Sequence, residues 1–145
     1  MDGYKEGDFA MIMGFPGSTS RYMTSFEIDR MLDIENPQRI FIRGERQAIL
    51  KEDMAASDKV RIQYASKYAQ SSNYWKNSIG MSRGIRKLNV KAQKEAQEAA
   101  FRKWAEANTL PTTEYMYDQD RIQKAVKSNA SAFADEQVRR EALYP

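Results

Sequence analysis

The apolar pattern changes period once along this chain. From Gly7 to Gly17 the sequence reads GDFAMIMGFPG, with Phe9, Met11, Met13 and Phe15 on one face and Ala10, Ile12 and Gly14 on the other. Both faces are apolar, which predicts a β-strand buried on two sides. A Pro16-Gly17 turn ends it and marks the best candidate for a domain boundary. A strand satisfies its backbone N–H and C=O groups only through a neighbour. The other strand-like run, Arg39-Ile40-Phe41-Ile42-Arg43, is short and comes after Asn36-Pro37, an N-cap with proline at the first helical position. It is read as helix, so the first strand has no partner within the sequence.

From Thr24 onward the period is helical. Thr24-Ser25-Phe26-Glu27 forms a capping box ahead of Ile28, Met31 and Leu32. A second helix is expected after Asn36, with Phe41, Ala48 and Ala55 seven residues apart. Ser57 or Asp58 caps a third, whose predicted core stripe is Ala65, Tyr68, Ser72, Trp75 and Ile79. Gly80 and Gly84 weaken the helix beyond that stripe. Asn89 caps a fourth helix from Val90 to about Asn108, with an apolar face of Ala92, Ala96, Ala99, Ala100 and Trp104. Pro111 breaks the pattern. A last helical region runs from about Thr113 to Leu143, with an irregularity near Ser128-Asn129. The result is a mainly α chain, a helical bundle or array carrying one N-terminal β-strand.

Composition narrows the chemistry. The 145 residues suffice for one domain with a real core. There is no cysteine, so disulfides and zinc-thiolate sites are excluded. There is no histidine either, so neither a Ser-His-Asp triad nor a histidine metal site can be built from this chain. No apolar run is long enough to span a membrane. The acidic, polar start MDGYKEGDF is not a signal peptide, so the protein is expected to be cytosolic or the chain to lack its natural beginning. The net charge is +3, unevenly placed. Between Asp58 and Glu95 there is no acidic residue, while Lys59, Arg61, Lys67, Lys76, Arg83, Arg86, Lys87, Lys91 and Lys94 fall in that interval. This is either a solvated basic face or a surface for a negative partner.

Among local motifs, Gly14 to Thr19 lacks the Gly-Lys-Ser/Thr ending of a phosphate loop. Asp118-Gln119-Asp120 begins like a calcium loop, but Ile122 and Gln123 stand where a ligand and a glycine are required. No nucleic-acid motif is present, and a charge of +3 is low for that role. The run Ser71 to Ser78, SSNYWKNS, is the most informative. Asn73 and Asn77 share one helix face and are poor helix formers. Either they cap a kinked segment before Gly80, or they present amides to a ligand or partner.

Four ordered stretches, GDFAMIMGFPGSTSRYMTS, NPQRIFIRGERQAILKEDM, VRIQYASKYAQSSNYWKNSIGM and RGIRKL, closely resemble the bacterial serine dipeptidyl-peptidases called dipeptidyl-peptidase 7 and 11. The likeness runs from about Gly7 to about Trp104. It implies a chymotrypsin-type double β-barrel with a large inserted helical domain, exported to the periplasm or cell surface, which releases dipeptides from free peptide N-termini by a Ser-His-Asp triad. On that resemblance residues 1–20 are a barrel-derived strand and turn, and residues 21–145 are part of the helical lid domain. The orphan strand's partners, the triad and the signal peptide then lie in missing segments, and Met1 is an added start codon on an excised fragment. The fragment alone is expected to be inactive and to need no cofactor or metal. Its partners are peptide substrates with a free N-terminus and the missing barrel, with a homodimeric parent among the expectations. The resemblance also implies that an asparagine of the lid helps bind the substrate's terminal ammonium; Asn73 is the first candidate and Asn77 the second. The rival reading is an independent helical module that binds an acidic partner through its basic interval.

Overall fold

The computed structural model describes residues 3, 5–11, 13–14, 17–108 and 113–143; for 113–116 the description covers the backbone only. Its elements are α1 (Ser25–Arg30), a π-helical turn (Met31–Glu35), α2 (Asn36–Ala56), α3 (Asp58–Lys87), α4 (Val90–Ala107), α5 (Thr113–Ser128) and α6 (Ala130–Leu143).

Helix α1 begins as expected. Thr24 Oγ1 accepts from the Glu27 N–H, and the Glu27 carboxylate accepts from the Thr24 N–H at 2.8 Å. The end of α1 corrects the expectation that Asn36 starts a separate helix. The backbone passes straight from α1 into α2 through the π turn, where the Asn36 N–H donates to the Met31 carbonyl five residues back. The physical reason is Pro37. Proline lacks an N–H and its ring clashes with the carbonyl four residues earlier. A widened turn placed just before it lets the helix continue. Asn36 is therefore not a cap. It is 1% exposed, and its Nδ2 donates to Ser82 Oγ at 2.9 Å.

Ser57 terminates α2 in extended backbone and caps α3 by accepting from the Val60 N–H. The two long helices then run antiparallel, as successive contacts demonstrate. Asn36 meets Ser82, Arg39 Nη1 reaches Ser78 Oγ at 3.5 Å, Trp75 Nε1 donates to the Ile40 carbonyl at 3.0 Å, and Gln47 Nε2 donates to the Tyr68 carbonyl at 3.3 Å. The α3 core stripe is partly corrected. Ser72 is buried and Tyr68, Trp75 and Ile79 are half-buried, but Ala65 is exposed, and Ser71, Ser78 and Ser82 are buried beside Trp75. An apolar-periodicity search passes over serine, yet a small side chain with a hydroxyl suits a close seam between polar partners. Phe41, Ala48 and Ala55 of α2 are exposed on its far side.

Helix α3 continues through Gly80 and Gly84 to Lys87, further than the glycines suggest. Asn89 then takes left-handed backbone, φ 49° and ψ 43°, and makes no side-chain cap. It joins α3 to α4 as one of the few residue types that tolerate this region, which corrects its expected role as an N-cap. In α4, Ala96, Ala99, Ala100 and Trp104 are exposed, whereas Ala105 is buried. Besides Ala105 and Val90, α4 makes inward contacts through polar groups. Glu98 accepts from the Ser25 N–H at 2.7 Å and from the Ser25 hydroxyl at 2.6 Å, and Lys91 pairs with Asp29 at 2.8 Å. The hydrogen bond to Asp29 raises the Lys91 ammonium above its ordinary pKa. The irregularity expected near Ser128-Asn129 is the turn between α5 and α6, where Asn129 Nδ2 bonds back to the Ala125 carbonyl. Pro111 lies outside the described residues.

The buried apolar cluster is small: Ile28, Met31 and Leu32, flanked by Met23, Ile85 and Val90. Along the first half of α2 the packing is ionic. Glu141 of α6 accepts from Arg39 Nε at 2.8 Å, from Arg43 Nε at 2.6 Å and from Gln137 Nε2 at 3.1 Å, while its carbonyl accepts from Arg46. Among the described residues before α1 there is no strand, and Phe9, Met11 and Met13 stand 91%, 69% and 89% exposed. Ile12, Phe15 and Pro16, and with them part of the expected strand and turn, lie outside the described residues.

This packing makes two substitutions informative about stability. Nothing lies within 4 Å of a β-carbon built at Gly80, which sits inside a helix. Gly80→Ala is expected to stabilise the chain by about 0.5–1 kcal/mol, raising Tm by about 2 °C in a thermal melt. Glu141→Ala leaves the Arg39 and Arg43 guanidinium groups without their carboxylate. It is expected to cost about 2–4 kcal/mol, read as a lower denaturant midpoint at constant slope.

Candidate functional site

The run Ser71 to Ser78 occupies the middle of α3, two turns of a helix whose orientation α2 dictates. Trp75 Nε1 is bonded to the Ile40 carbonyl, and Ser71 and Ser78 are buried on the same side. A β-carbon at Gly44 would lie 3.5 Å from Trp75 Nε1, an ordinary contact, so Gly44 is not what permits the approach. With that side pinned, Asn73 and Asn77 are turned outward and both are exposed. The helix is unbroken from Asp58 to Lys87, so neither asparagine caps a helix end. The structure thus presents two amides one turn apart on a rigid helix. An amide oxygen can accept from an ammonium without bringing a charge that must itself be desolvated.

Tyr74 lies between them in sequence, partly exposed, with the Arg43 guanidinium 4.9 Å from its ring centroid. Beside it, a cleft of about 450 Å³ opens between α2 and α3, bordered by Arg43, Arg46, Tyr64, Lys67, Ser71 and Tyr74. Apolar periodicity does not reveal this cleft. The signal that could have done so is the spacing of Arg39, Arg43 and Arg46, which puts three cations on one helix face. A second cleft of about 550 Å³ lies among α1, α4 and α5. Its polar groups largely satisfy one another, through Ser25 with Glu98, Asp29 with Lys91, and Arg102 with Asp120 at 2.8 Å.

The basic interval is not one patch. Along about 45 Å of α3, Arg61 pairs with Asp58, while Lys59, Lys67, Lys76, Arg83, Arg86 and Lys87 are exposed. On α4, Lys91 pairs with Asp29 and Lys94 Nζ donates to the Arg21 carbonyl. Asp118 and Asp120 sit on α5 beside Arg121 and Arg102. Among the described residues, no group of three or more Asp or Glu is placed to hold a metal ion.

Known proteins resemble this chain in both sequence and fold. Residues 1–144 match the peptidase S46 family. Dipeptidyl-peptidase 7 of Phocaeicola vulgatus is 61% identical over 112 residues, covering 75% of this chain and 15% of that protein. Dipeptidyl-peptidase 7 of Porphyromonas gingivalis is 49% identical over 132 residues, covering 91% of this chain and 18% of that protein. The crystal structure of a dipeptidyl-peptidase 11 from Porphyromonas endodontalis, in complex with the dipeptide Arg-Glu, superposes with a TM-score of 0.75 at 36% identity. That match covers 96% of this chain and 19% of the solved one. The chain therefore spans only 15% and 18% of the length of the two curated relatives. With its sequence matched almost end to end and its helical fold shared with a solved member, this chain belongs to the peptidase S46 family.

Proposed function

We propose that this chain is the helical lid portion of an exported serine dipeptidyl-peptidase, and that the lid helps hold the substrate's N-terminal ammonium. The observation that carries the reading is the match to dipeptidyl-peptidases 7 over most of the chain, at 49% and 61% identity. The surface agrees with it. Phe9, Met11 and Met13, the apolar side chains of the segment read as barrel-derived, are exposed on this chain. In this reading residues 1–20 belong to the barrel and residues 21–145 to the inserted lid. The barrel, with its Ser-His-Asp triad, supplies the chemistry, because a chain without histidine cannot furnish the base of that triad.

Asn73 is the first choice for the ammonium ligand and Asn77 the second. Both sit on a helix held by the α2 seam, so once the lid covers the cleft either amide stands at one set distance from the barrel serine. A terminus captured at that distance leaves room for two residues before the scissile bond, and the dipeptide product results from positioning. The parent acts in the periplasm or at the cell surface, and no described helix of this chain is long and apolar enough to cross a membrane.

The test compares this chain with the full-length protein that contains it, using a fluorogenic dipeptidyl substrate. The 145-residue chain is expected to be silent and the parent active. Asn73→Ala in the parent is expected to lower kcat/KM about ten- to a hundredfold, the loss of one hydrogen bond to a charged group, with the melting temperature unchanged. Turnover by the isolated chain sinks the fragment reading. Unchanged kinetics for both Asn73→Ala and Asn77→Ala would remove the ammonium-binding role from this helix.

A further inference from the structure

We propose that the cleft between α2 and α3 is a binding site for a carboxylate-bearing organic anion. The groups that line the cleft carry this assignment whether or not the chain is a peptidase lid.

Its charge is one-sided. Arg43, Arg46 and Lys67 border the cleft, and among the described residues its lining contains no carboxylate. The carboxylate that approaches from outside, Glu141, is already divided. One oxygen takes Arg39 and the other takes Arg43, while Arg46 reaches only the Glu141 backbone carbonyl. Three arginines thus share a single negative charge, and Lys67 adds a fourth cation. An uncompensated cluster of this kind lowers stability unless an anion joins it.

The site is also built, not merely charged. The Arg43 side chain is 12% exposed and is oriented from two sides, by the Glu141 carboxylate and by the face of Tyr74. Its remaining donors are thereby held in place before any ligand arrives, which reduces the ordering a ligand must impose. Ser71 provides the independent observation. It is 5% exposed, it lines the cleft, and its Oγ has no hydrogen-bond partner. A buried hydroxyl is ordinarily paired, and rotation of this unpartnered one about χ1 at the cleft wall would bring its donor to an anion's oxygen.

These groups select the ligand class. Planar guanidinium forks match carboxylate oxygens, and an ammonium adds a point charge without directional demand. The volume exceeds what a bare oxyanion fills, and Tyr64, Tyr74 and Leu50 give the cleft apolar walls for a carbon skeleton. A small carboxylic acid and the acidic side chain of a peptide share this chemistry, and citrate and the peptide Gly-Glu-Glu represent the two.

Both probes are titrated into the 145-residue chain at low salt, by calorimetry and by amide chemical-shift mapping. One saturable site is expected for at least one of them, with shifts concentrated in residues 43–50 and 64–74. Ser71→Ala is expected to weaken binding about fivefold, without lowering the melting temperature of the free protein. Lys67→Gln, at an exposed position, is expected to weaken it about five- to tenfold. Lys59→Gln, on the same helix but outside the cleft, is expected to leave it unchanged. Saturation by either probe that is sensitive to both cleft substitutions supports the site, and the responding probe identifies a free or a peptide-borne carboxylate. Absence of saturation by both probes, insensitivity to Ser71→Ala and Lys67→Gln together, or equal weakening by Lys59→Gln overturns it.

Discussion

The seam between α2 and α3 is the constraint on which the rest depends. It is held by directional contacts more than by apolar volume. Asn36 meets Ser82 at one end, Trp75 meets the Ile40 carbonyl in the middle, and Gln47 meets the Tyr68 carbonyl beyond it. Apolar side chains tolerate sliding and rotation, since burial is non-directional. A buried amide or indole N–H does not, because a shift of one residue strands it without a partner at a cost of about 1–3 kcal/mol. These contacts therefore set both the register and the rotation of α3. That rotation turns Trp75 toward α2 and leaves Asn73 and Asn77 facing outward.

The same seam explains why the π turn persists. Without it, α2 would start afresh after Glu35 and its first turn could point elsewhere. With it, α1 and α2 form one continuous rod from Ser25 to Ala56, and Asn36 is delivered to Ser82. Rod and partner helix then serve as a frame. The α1 end receives α4 through Ser25 and Glu98, and the first half of α2 receives α6 through Glu141. Both dockings place a carboxylate where it accepts from more than one donor, which fixes orientation as well as distance. A helical frame built this way holds its exposed residues at defined separations, as the proposed positioning role requires.

The proposed anion cleft adjoins the ionic contacts in the first half of α2. Glu141 satisfies the arginines only in part, so the cationic surplus is a consequence of how α6 docks. The proposed terminus-binding face and the cleft share α3 and meet at Tyr74. A ligand in the cleft would contact the ring that separates the two asparagines in sequence, which gives the two sites a direct physical connection.

Local chemistry determined much of this protein. The capping box at Thr24, the Ser57 cap, the break near Asn129, the helical class and the resemblance carried by SSNYWKNS all depend on neighbours in sequence, so the sequence displays them. The absence of histidine likewise excluded a Ser-His-Asp triad built from this chain alone. Tertiary structure decided the rest. Asn36 and Asn89 carry cap residue types, yet one is buried against a residue 46 positions away and the other turns the backbone left-handed. The inward face of α3 is chosen by partners on α2, so serines replaced the alanine that periodicity favoured. The cleft exists only because residues from α2 and α3 are brought together beside a carboxylate from α6. Each of these depends on long-range pairing of polar groups, whose energy lies in the partner and not in the residue, and a residue's own hydrophobicity carries no record of it.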